Sequence, residues 1–301
     1  MNYRDIVKSR NLRVYILTFL SWVPDSIMLR LQYWLQTGRR LNLKNPKRFT
    51  EKLQLYKMKY RNPDMLRCTD KYEVRRYIEE KGFGEYLIPL IGVYNTAEEI
   101  DYTQLPDRFV AKTTDGGGGN QVLICRDKNL LSENEFREKV KKWMGARKSK
   151  KHVGREWAYD NNFSRRVVIE ELIGDGDLKD YKFFCFNGRA SYVYGVSERK
   201  VGQTAQVGVY DKDFNKLEVV RNDERPQDAP LQKPNNFDEM IKVAESLAKA
   251  FPHVRVDLFN VEGRIYFGEL TFYDGSGYMT FTPDSFDAEM GDCFDVSSFE
   301  N

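Results

Sequence analysis

Residues 109–123 read FVAKTTDGGGGNQVL. An apolar strand ends in Lys112, a polar turn follows, then the four glycines Gly116, Gly117, Gly118 and Gly119, and then a second apolar run. Consecutive glycines give up the most backbone entropy on folding, so a stable domain keeps them where the main chain approaches something closely or takes a positive φ. A P-loop places its lysine directly after the last glycine, whereas here Lys112 precedes the glycines and Asn120 follows them. The dinucleotide fingerprint also fails, because counting from Gly116 and Gly118 the third glycine position is Gln121, and the flanking VLIC reads as strand. The glycines therefore join two strands. At this point the loop is either a phosphate-covering hairpin or a slack turn.

Working outward, 301 residues with 14% aromatic content can bury one large core or two modest ones. The 48 Lys and Arg nearly balance the 45 Asp and Glu, yet the charges are graded along the chain. Residues 1–60 hold thirteen basic and three acidic residues, and residues 235–301 hold four and thirteen. A basic front suits an anionic surface or substrate, and an acidic back suits a divalent metal. Cys68, Cys125, Cys185 and Cys293 are far apart and form no C-x-x-C pair, which predicts reduced thiols and no zinc site. With only His152 and His253, a histidine-based triad or metal site has little to draw on.

The run VYILTFLSWV (14–23) follows Arg4, Lys8, Arg10 and Arg13 but is too short to span a bilayer, and no small-x-small cleavage pattern follows it. Trp22, Leu29, Leu31, Tyr33, Trp34 and Leu35 continue in helical spacing. Amphipathic helices that pack on the main domain are expected, with a membrane-surface anchor as the other reading. Helical pattern covers 12–60 with a break at Asn45-Pro46, and residues 64–81 carry helical spacing, with Asp70 or Thr69 placed to begin a helix that Gly82 and Gly84 end. Short strands follow from Tyr86, then a basic helix over 133–151. The strands VVIEELI, YKFFCFNG, ASYVYGV and QVGVYD precede a loop marked by Pro226, Pro230 and Pro234. The helix FDEMIKVAESLAKAF and the hairpin HVRVDLFNVEGRIYFGELTF close the core. The expected class is α/β.

The strand VRVDLF sets Arg255, Asp257 and Phe259 on one face, and its partner points Glu269 and Thr271 to a common face. Two carboxylates on adjacent strands are costly to bury without a counter-ion, and Mg²⁺ takes a few carboxylate oxygens together with substrate phosphates. A third element, VVIEELIGDGDLKDYKFFCF (167–186), ends a strand in paired acids, passes through an apolar link and a Gly/Asp turn, and re-enters a strand bearing Lys182. Backbone groups of such a link can pair with an adenine edge, a neighbouring acid with ribose hydroxyls, and Lys182 with a phosphate.

The order of these pieces resembles the ATP-grasp superfamily: D-K-x-x-x-R at Asp70, Lys71 and Arg75, then a strand lysine before a glycine hairpin, an acidic hinge, R-x-D and E-x-T. Within it the chain resembles the TupA-like (teichuronopeptide biosynthesis) family through NPKRFTEKLQLYK, DKYEVRRYIEEK, YLIPLIGVY, DYKFFCFNGR and FPHVRVDLFNVEGRIYFGELTFYDGSG, over roughly residues 42–283. The resemblance implies two α+β subdomains clasping ATP behind a helical, basic N-terminal segment. Residues 1–60 would form that segment and 61–301 the ATP-grasp region, with the nucleotide lid over about 106–170 and the metal and catalytic part over about 171–301.

The resemblance also implies roles. Arg75 and Lys112 hold ATP phosphates under the lid of Gly116 to Gly119, and Glu170 with the backbone of Glu171, Leu172 and Ile173 forms the adenine hinge. Asp177 or Asp180 meets the ribose, Lys182 a phosphate, and Arg199 the γ-phosphate. Asp257 and Glu269 bind Mg²⁺. Many members have E-x-N where this chain has Glu269-Leu270-Thr271, so Thr271 stands as the third ligand in place of an amide, and Ser276 and Gly277 lie in the following loop. Arg255, Lys112 and Lys182 are the expected catalytic cations.

The implied activity is an ATP-dependent carboxylate-amine ligase that works through an acyl phosphate. It would join an amino acid or amine to a sugar-linked carboxylate, such as a uronic acid, in capsule, O-antigen or cell-wall polysaccharide synthesis. The same ATP site suits a kinase of a hydroxyl. A glycosyltransferase and a non-catalytic nucleotide-binding component are the other classes, and D-x-D occurs only at Asp175 to Asp177 and Asp211 to Asp213. The implied partners are ATP, an anionic sugar or polysaccharide precursor and an amine, without nucleic acid. The implied location is the cytoplasm, with peripheral contact at the inner membrane face on the anchor reading.

Overall fold

Among the described residues of the first sixty positions, helical spacing of apolar residues produces the α-helices α1 (Arg10–Phe19), α2 (Asp25–Thr37) and α3 (Phe49–Lys59). The computed structural model describes residues 10–117, 121–145, 154–161, 165–175, 178–198 and 205–299. α2 buries Met28, Leu29 and Tyr33 and ends at Gly38, whose φ of 73° is the left-handed C-terminal stop that glycine adopts without strain. α3 is buried from Phe49 to Lys57 except at Lys52, so a helix with five charged or amide side chains lies largely inside the molecule. Its orphan first-turn groups are satisfied from outside the helix. The Glu51 carboxylate accepts from the backbone of Lys47 and Arg48 at 2.9 and 3.1 Å, and Asp287 accepts from the Thr50 amide and hydroxyl at 3.0 and 2.7 Å.

The helical spacing over 64–81 forms two helices, α4 (Pro63–Cys68) and α5 (Glu73–Glu80), and the second begins just after Asp70, one of the two start residues expected from the sequence. Asp70 causes the break, because its carboxylate accepts from the Tyr72 and Glu73 amides while the Lys71 amide donates to the Thr114 carbonyl at 2.9 Å. A side chain that bonds its own following backbone competes with the helix ladder. The diversion pins the start of α5 to the root of the glycine loop.

Strands β1 (Leu90–Tyr94), β2 (Phe109–Thr113), β3 (Val122–Cys125) and β4 (Val167–Glu171) form an antiparallel sheet in the order β1-β4-β2-β3. Helix α6 (Glu133–Gly145) covers it, with Phe136, Val140 and Trp143 at helical spacing against Phe109, Ala111, Val167 and Ile169. The short α7 (Trp157–Asp160) precedes β4. The second part of the predicted basic helix, residues 146–151, lies outside the described residues.

The second sheet contains β5 (Lys179–Phe186), β6 (Arg189–Ser197), β7 (Gln206–Asp211), β9 (Arg225–Pro226), β10 (His253–Val261) and β11 (Arg264–Thr271), in the order β11-β10-β5-β6-β7-β9. The stretch expected as a plain loop thus supplies an edge strand, β9, parallel to β7, and a further strand, β8 (Val220–Arg221), that pairs with β12 (Phe281–Thr282). Helix α8 (Phe237–Ala248) packs Phe237, Met240, Ala244 and Leu247 on this sheet, and α9 (Phe286–Cys293) packs against α3. Mixed α/β architecture is what the alternating helix and strand patterns predicted. The four cysteines form no disulfide.

His253 opens β10 inside a cage of Phe49, Phe184, Phe186 and Phe294. A carbonyl only accepts, so Nδ1, 2.9 Å from the Cys185 carbonyl, carries the hydrogen. Burial pushes the pKa of His253 down to about 3. The folded state therefore refuses a proton that the unfolded chain takes up below its ordinary value near 6.5, and stability falls as pH drops through that window. Between pH 7 and 5 this linkage costs about 2 kcal/mol. Urea titrations at both pH values should show His253→Phe losing about 2 kcal/mol less than the wild type over that interval, and equal losses would refute the assignment.

Candidate active site

Alternation on β10 and β11 converges ionic groups at one end of the second sheet. Arg255 stands opposite Thr271, and Asp257 opposite Glu269 on one side and Lys182 on the other. Arg255 is buried, and its Nε and Nη2 each donate at 2.7 Å to the two oxygens of Asp257. Nη2 also reaches Glu269 Oε1 at 3.2 Å and the Thr271 hydroxyl at 3.1 Å, and Nη1 pairs with Asp274. Asp274 accepts in turn from Arg221 at 2.7 Å, and Arg221 holds Asp223. Lys182 pairs with Asp257 and, at 2.7 Å, with the fully buried Asp180. Burial alone would raise Asp257, but Arg255 and then Lys182 pull it below the usual carboxylate range. Asp274 follows the same pattern, with Arg221 and Arg255 overcoming burial.

A second ionic group sits on the four-stranded sheet. Glu170 is buried between two cations, with Lys112 at 2.6 Å and Arg75 at 3.3 Å. Arg75 also donates to the Ile88 carbonyl at 2.9 Å, so its position on α5 is fixed. The glycine loop begins from a tied root. Arg165 donates to both oxygens of Asp115 at 3.0 Å, the Thr113 hydroxyl donates to Gln121 at 2.9 Å, and Lys71 donates to the Gly116 carbonyl. A β-carbon on Gly116 would lie 2.6 Å from the Thr113 hydroxyl, so the tight root itself demands glycine. Gly117 is exposed. Gly118, Gly119, Asp177 and Arg199 lie outside the described residues.

Lys71 joins the two groups. Burial lowers its pKa, and the opposing fields on it come from Glu269 on the second sheet and Lys112 on the first. Beyond β11, Gly275, Ser276 and Gly277 run through three successive left-handed conformations with φ of 49°, 55° and 66°. α3 braces this turn from behind. Gln54 donates to the carbonyls of Ser276 and Gly277 at 3.1 and 2.9 Å, and the buried Lys57 donates to Ser276 at 2.7 Å and faces Glu156 at 3.6 Å. A β-carbon on Gly277 would approach Gln54 Nε2 to 2.4 Å. Non-glycine residues pay to enter this conformation, and the bracing carries that strain at Ser276.

The structure thus brings Arg255, Asp257, Glu269, Thr271 and Lys182 together in one cluster, and Arg75, Lys112 and Glu170 in another. Glu171 is exposed and its amide donates to the Pro89 carbonyl at 3.0 Å, while Leu172 and Ile173 follow half-buried. Sequence reasoning gave no role to Lys71, Asp274, Arg221, Lys57 or Glu156. Asp274, Lys71 and Lys57 lie within motifs of the family resemblance, but Arg221 and Glu156 carry no local signal. Among the described residues no group of three or more His, Cys, Asp or Glu forms a metal cage. The donors nevertheless fit a magnesium ion that arrives with phosphate oxygens: Asp257 and Glu269 are cross-strand partners, and Glu269 keeps 48% of its side chain exposed. The Thr271 hydroxyl oxygen is engaged with Arg255.

Removing one partner of a buried ion cluster strands the others. Arg255→Leu should therefore cost about 3–5 kcal/mol of stability in urea unfolding, and adding Asp274→Asn should return part of that loss. A single-variant cost under about 1 kcal/mol would show that the cluster is not what holds β10 and β11 to the 274–277 turn.

No curated protein matches the chain. Similar solved structures include a D-alanine–D-alanine ligase from Bacillus anthracis, 19% identical with a TM-score of 0.44 over 68% of this chain and 57% of that one. An L-amino acid ligase from Bacillus licheniformis is 17% identical, with a TM-score of 0.44 over 70% of this chain and 44% of the other. A D-alanine–D-alanine ligase from Helicobacter pylori is 14% identical, with a TM-score of 0.42 over 76% and 61%. The chain thus spans under two thirds of the length of each of these structures. The family model described as TupA-like ATPgrasp matches residues 51–295, which takes in α3, both sheets, both ionic clusters and α9. With the match running from the brace of the active-site turn to the last helix, the chain belongs to the TupA-like ATP-grasp family and has the ATP-grasp fold.

Proposed function

We propose that the protein is an ATP-dependent ligase that activates a carboxylate as an acyl phosphate and joins it to an amine. The observation that carries this reading is the presence of two ionic groups of complementary use, the cations Arg75 and Lys112 on the first sheet and the cross-strand carboxylates Asp257 and Glu269 on the second, with Lys71 donating to the root of the glycine loop. A nucleotide triphosphate needs cations for its phosphates, and magnesium needs carboxylates.

In this mechanism Arg75 and Lys112 exchange Glu170 for phosphate oxygens and hold the nucleotide beneath the glycine loop. Bound Mg²⁺, held by Asp257 and Glu269, offsets charge on the transferring phosphoryl group. A substrate carboxylate oxygen attacks the γ-phosphorus and ADP leaves. The amine nitrogen then attacks the acyl carbon, a carbon–nitrogen bond forms, phosphate departs and the amine loses a proton. Arg255, whose guanidinium is held by Asp257 and Asp274, is the proposed cation for the oxyanion of that step. Lys182, shared between Asp180 and Asp257, is placed to follow a phosphate when the nucleotide arrives. The absence of a Ser-His or Cys-His pair is consistent, since this chemistry asks for charge neutralisation and not a nucleophile.

The acceptor is a sugar-linked carboxylate such as a uronic acid, in capsule, O-antigen or cell-wall polysaccharide synthesis in the cytoplasm. The family and the basic residues 1–60 support that choice. With Mg-ATP, an amino-acid panel and uronic-acid acceptors, ADP and phosphate should appear only when carboxylate and amine are both present. A stable phosphorylated product without free phosphate would identify a kinase instead. Glu269→Gln should lower ADP release about 100-fold or more with little change in melting temperature, because Glu269 is half exposed. Retention of full activity would end its assignment to the metal.

A further inference from the structure

α2 buries Met28, Leu29 and Tyr33 on one face and is bare on the other, and none of the described side chains of α1 is buried. Exposed apolar residues recur at Leu12, Tyr15, Ile16 and Phe19 on α1, then at Trp22, and at Ile27, Leu31 and Trp34 on α2. Both sets follow i, i+3/i+4, i+7 spacing, so each helix carries a continuous outer stripe. Tyr15, Phe19 and Trp22 are 70%, 68% and 76% exposed, and eight of the ten large exposed hydrophobic side chains among the described residues fall within positions 12–34. A monomeric surface rarely gathers that much aromatic area without a partner.

The charge around the stripe selects the partner. Residues 10–50 hold eight Lys and Arg and one acid, Asp25. Asp25 is bound to Arg155 at 2.5 Å, so its charge is already neutralised. Arg30 lies exposed within the α2 stripe, and the exposed Arg40, Lys44 and Lys47 follow the helix. Tryptophan and tyrosine on an apolar face flanked by cations suit the headgroup boundary of an anionic bilayer, where ring edges stay hydrated and cations meet lipid phosphate. Among the described residues no helix is long and apolar enough to cross a membrane, so the contact is interfacial.

The hairpin is fastened to the catalytic region. Arg155, held at a positive φ of 54°, donates to the carbonyls of Leu20 and Val23 at 2.9 and 2.8 Å, and the next residue, Glu156, faces Lys57 behind the 274–277 turn. From α2, Gln32 accepts from the Tyr278 hydroxyl at 2.7 Å. We propose that the outer face of residues 12–34 docks on an anionic bilayer surface and holds the ATP site beside a membrane-borne acceptor. The acceptor clause rests on the ligase reading, whereas the docking does not.

The test uses the full chain and vesicles of phosphatidylcholine with or without about 30 mol% phosphatidylglycerol. The protein should sediment with the anionic vesicles and release as salt rises, and brominated lipid should quench its tryptophan fluorescence. Tyr15→Ser/Phe19→Ser/Trp22→Ser/Trp34→Ser changes only exposed side chains and should weaken sedimentation about tenfold or more with an unaltered circular dichroism spectrum. Absence of vesicle binding by the wild type, or binding that the variant leaves intact, overturns the proposal. So does concentration-dependent dimerisation that the variant abolishes without any vesicle binding, since a second copy would then cover the face. Vesicle binding is read without turnover, so its failure and failure of the ligase reading are separate results.

Discussion

The Arg255 guanidinium is enclosed by protein, and each of its nitrogens meets a carboxylate. A charge in that position is tolerable only if its partners are fixed. Asp257 lies on the same strand, Glu269 and Thr271 on the neighbouring strand, and Asp274 in the turn beyond. The demand of one buried cation thereby fixes the register of β10 against β11 and the path of the chain after β11. Asp274 extends the demand to Arg221, which draws the short β8 toward the site from a stretch otherwise rich in proline and polar residues.

The turn behind Arg255 is held from its other side by α3. A helix that buries Gln54 and Lys57 gives up hydration on an amide and an ammonium, and it does so where both can donate to the carbonyls of a left-handed turn. Burial pushes Lys57 down, and it pushes Glu156 up, so the pair gains little as an ion pair and serves by geometry. The same logic appears at the glycine loop. Thr113, Asp115, Gln121 and Arg165 fix its root, and Lys71 ties it to the start of α5.

The break between α4 and α5 links these regions. An unbroken helix over 64–81 would have presented Lys71 along its own surface. Asp70 caps the second helix and releases the Lys71 amide to the Thr114 carbonyl, while the Lys71 ammonium meets the Gly116 carbonyl at the root of the glycine loop. One local side-chain bond therefore decides where Lys71 stands.

Much of the architecture was legible from periodicity. Alternation placed Arg255 and Asp257 on one face of VRVDLF and Glu269 and Thr271 on a common face of IYFGELTF, because a strand has no other way to point its side chains, and the register joins the two sets. The four glycines between two strands, and the helices with apolar residues every three or four positions, were equally readable. What the chain order could not express was any pairing that depends on long-range approach. Arg221 with Asp274, Lys57 with Glu156, and Arg155 with the turn at Leu20 to Asp25 join segments 53, 99 and more than 100 positions apart. Strand and helix periods are local properties of the backbone, so they determined the elements and the strand faces. The neutralisation of buried charge is a property of the packed whole, and only the tertiary structure decided which cation meets which carboxylate.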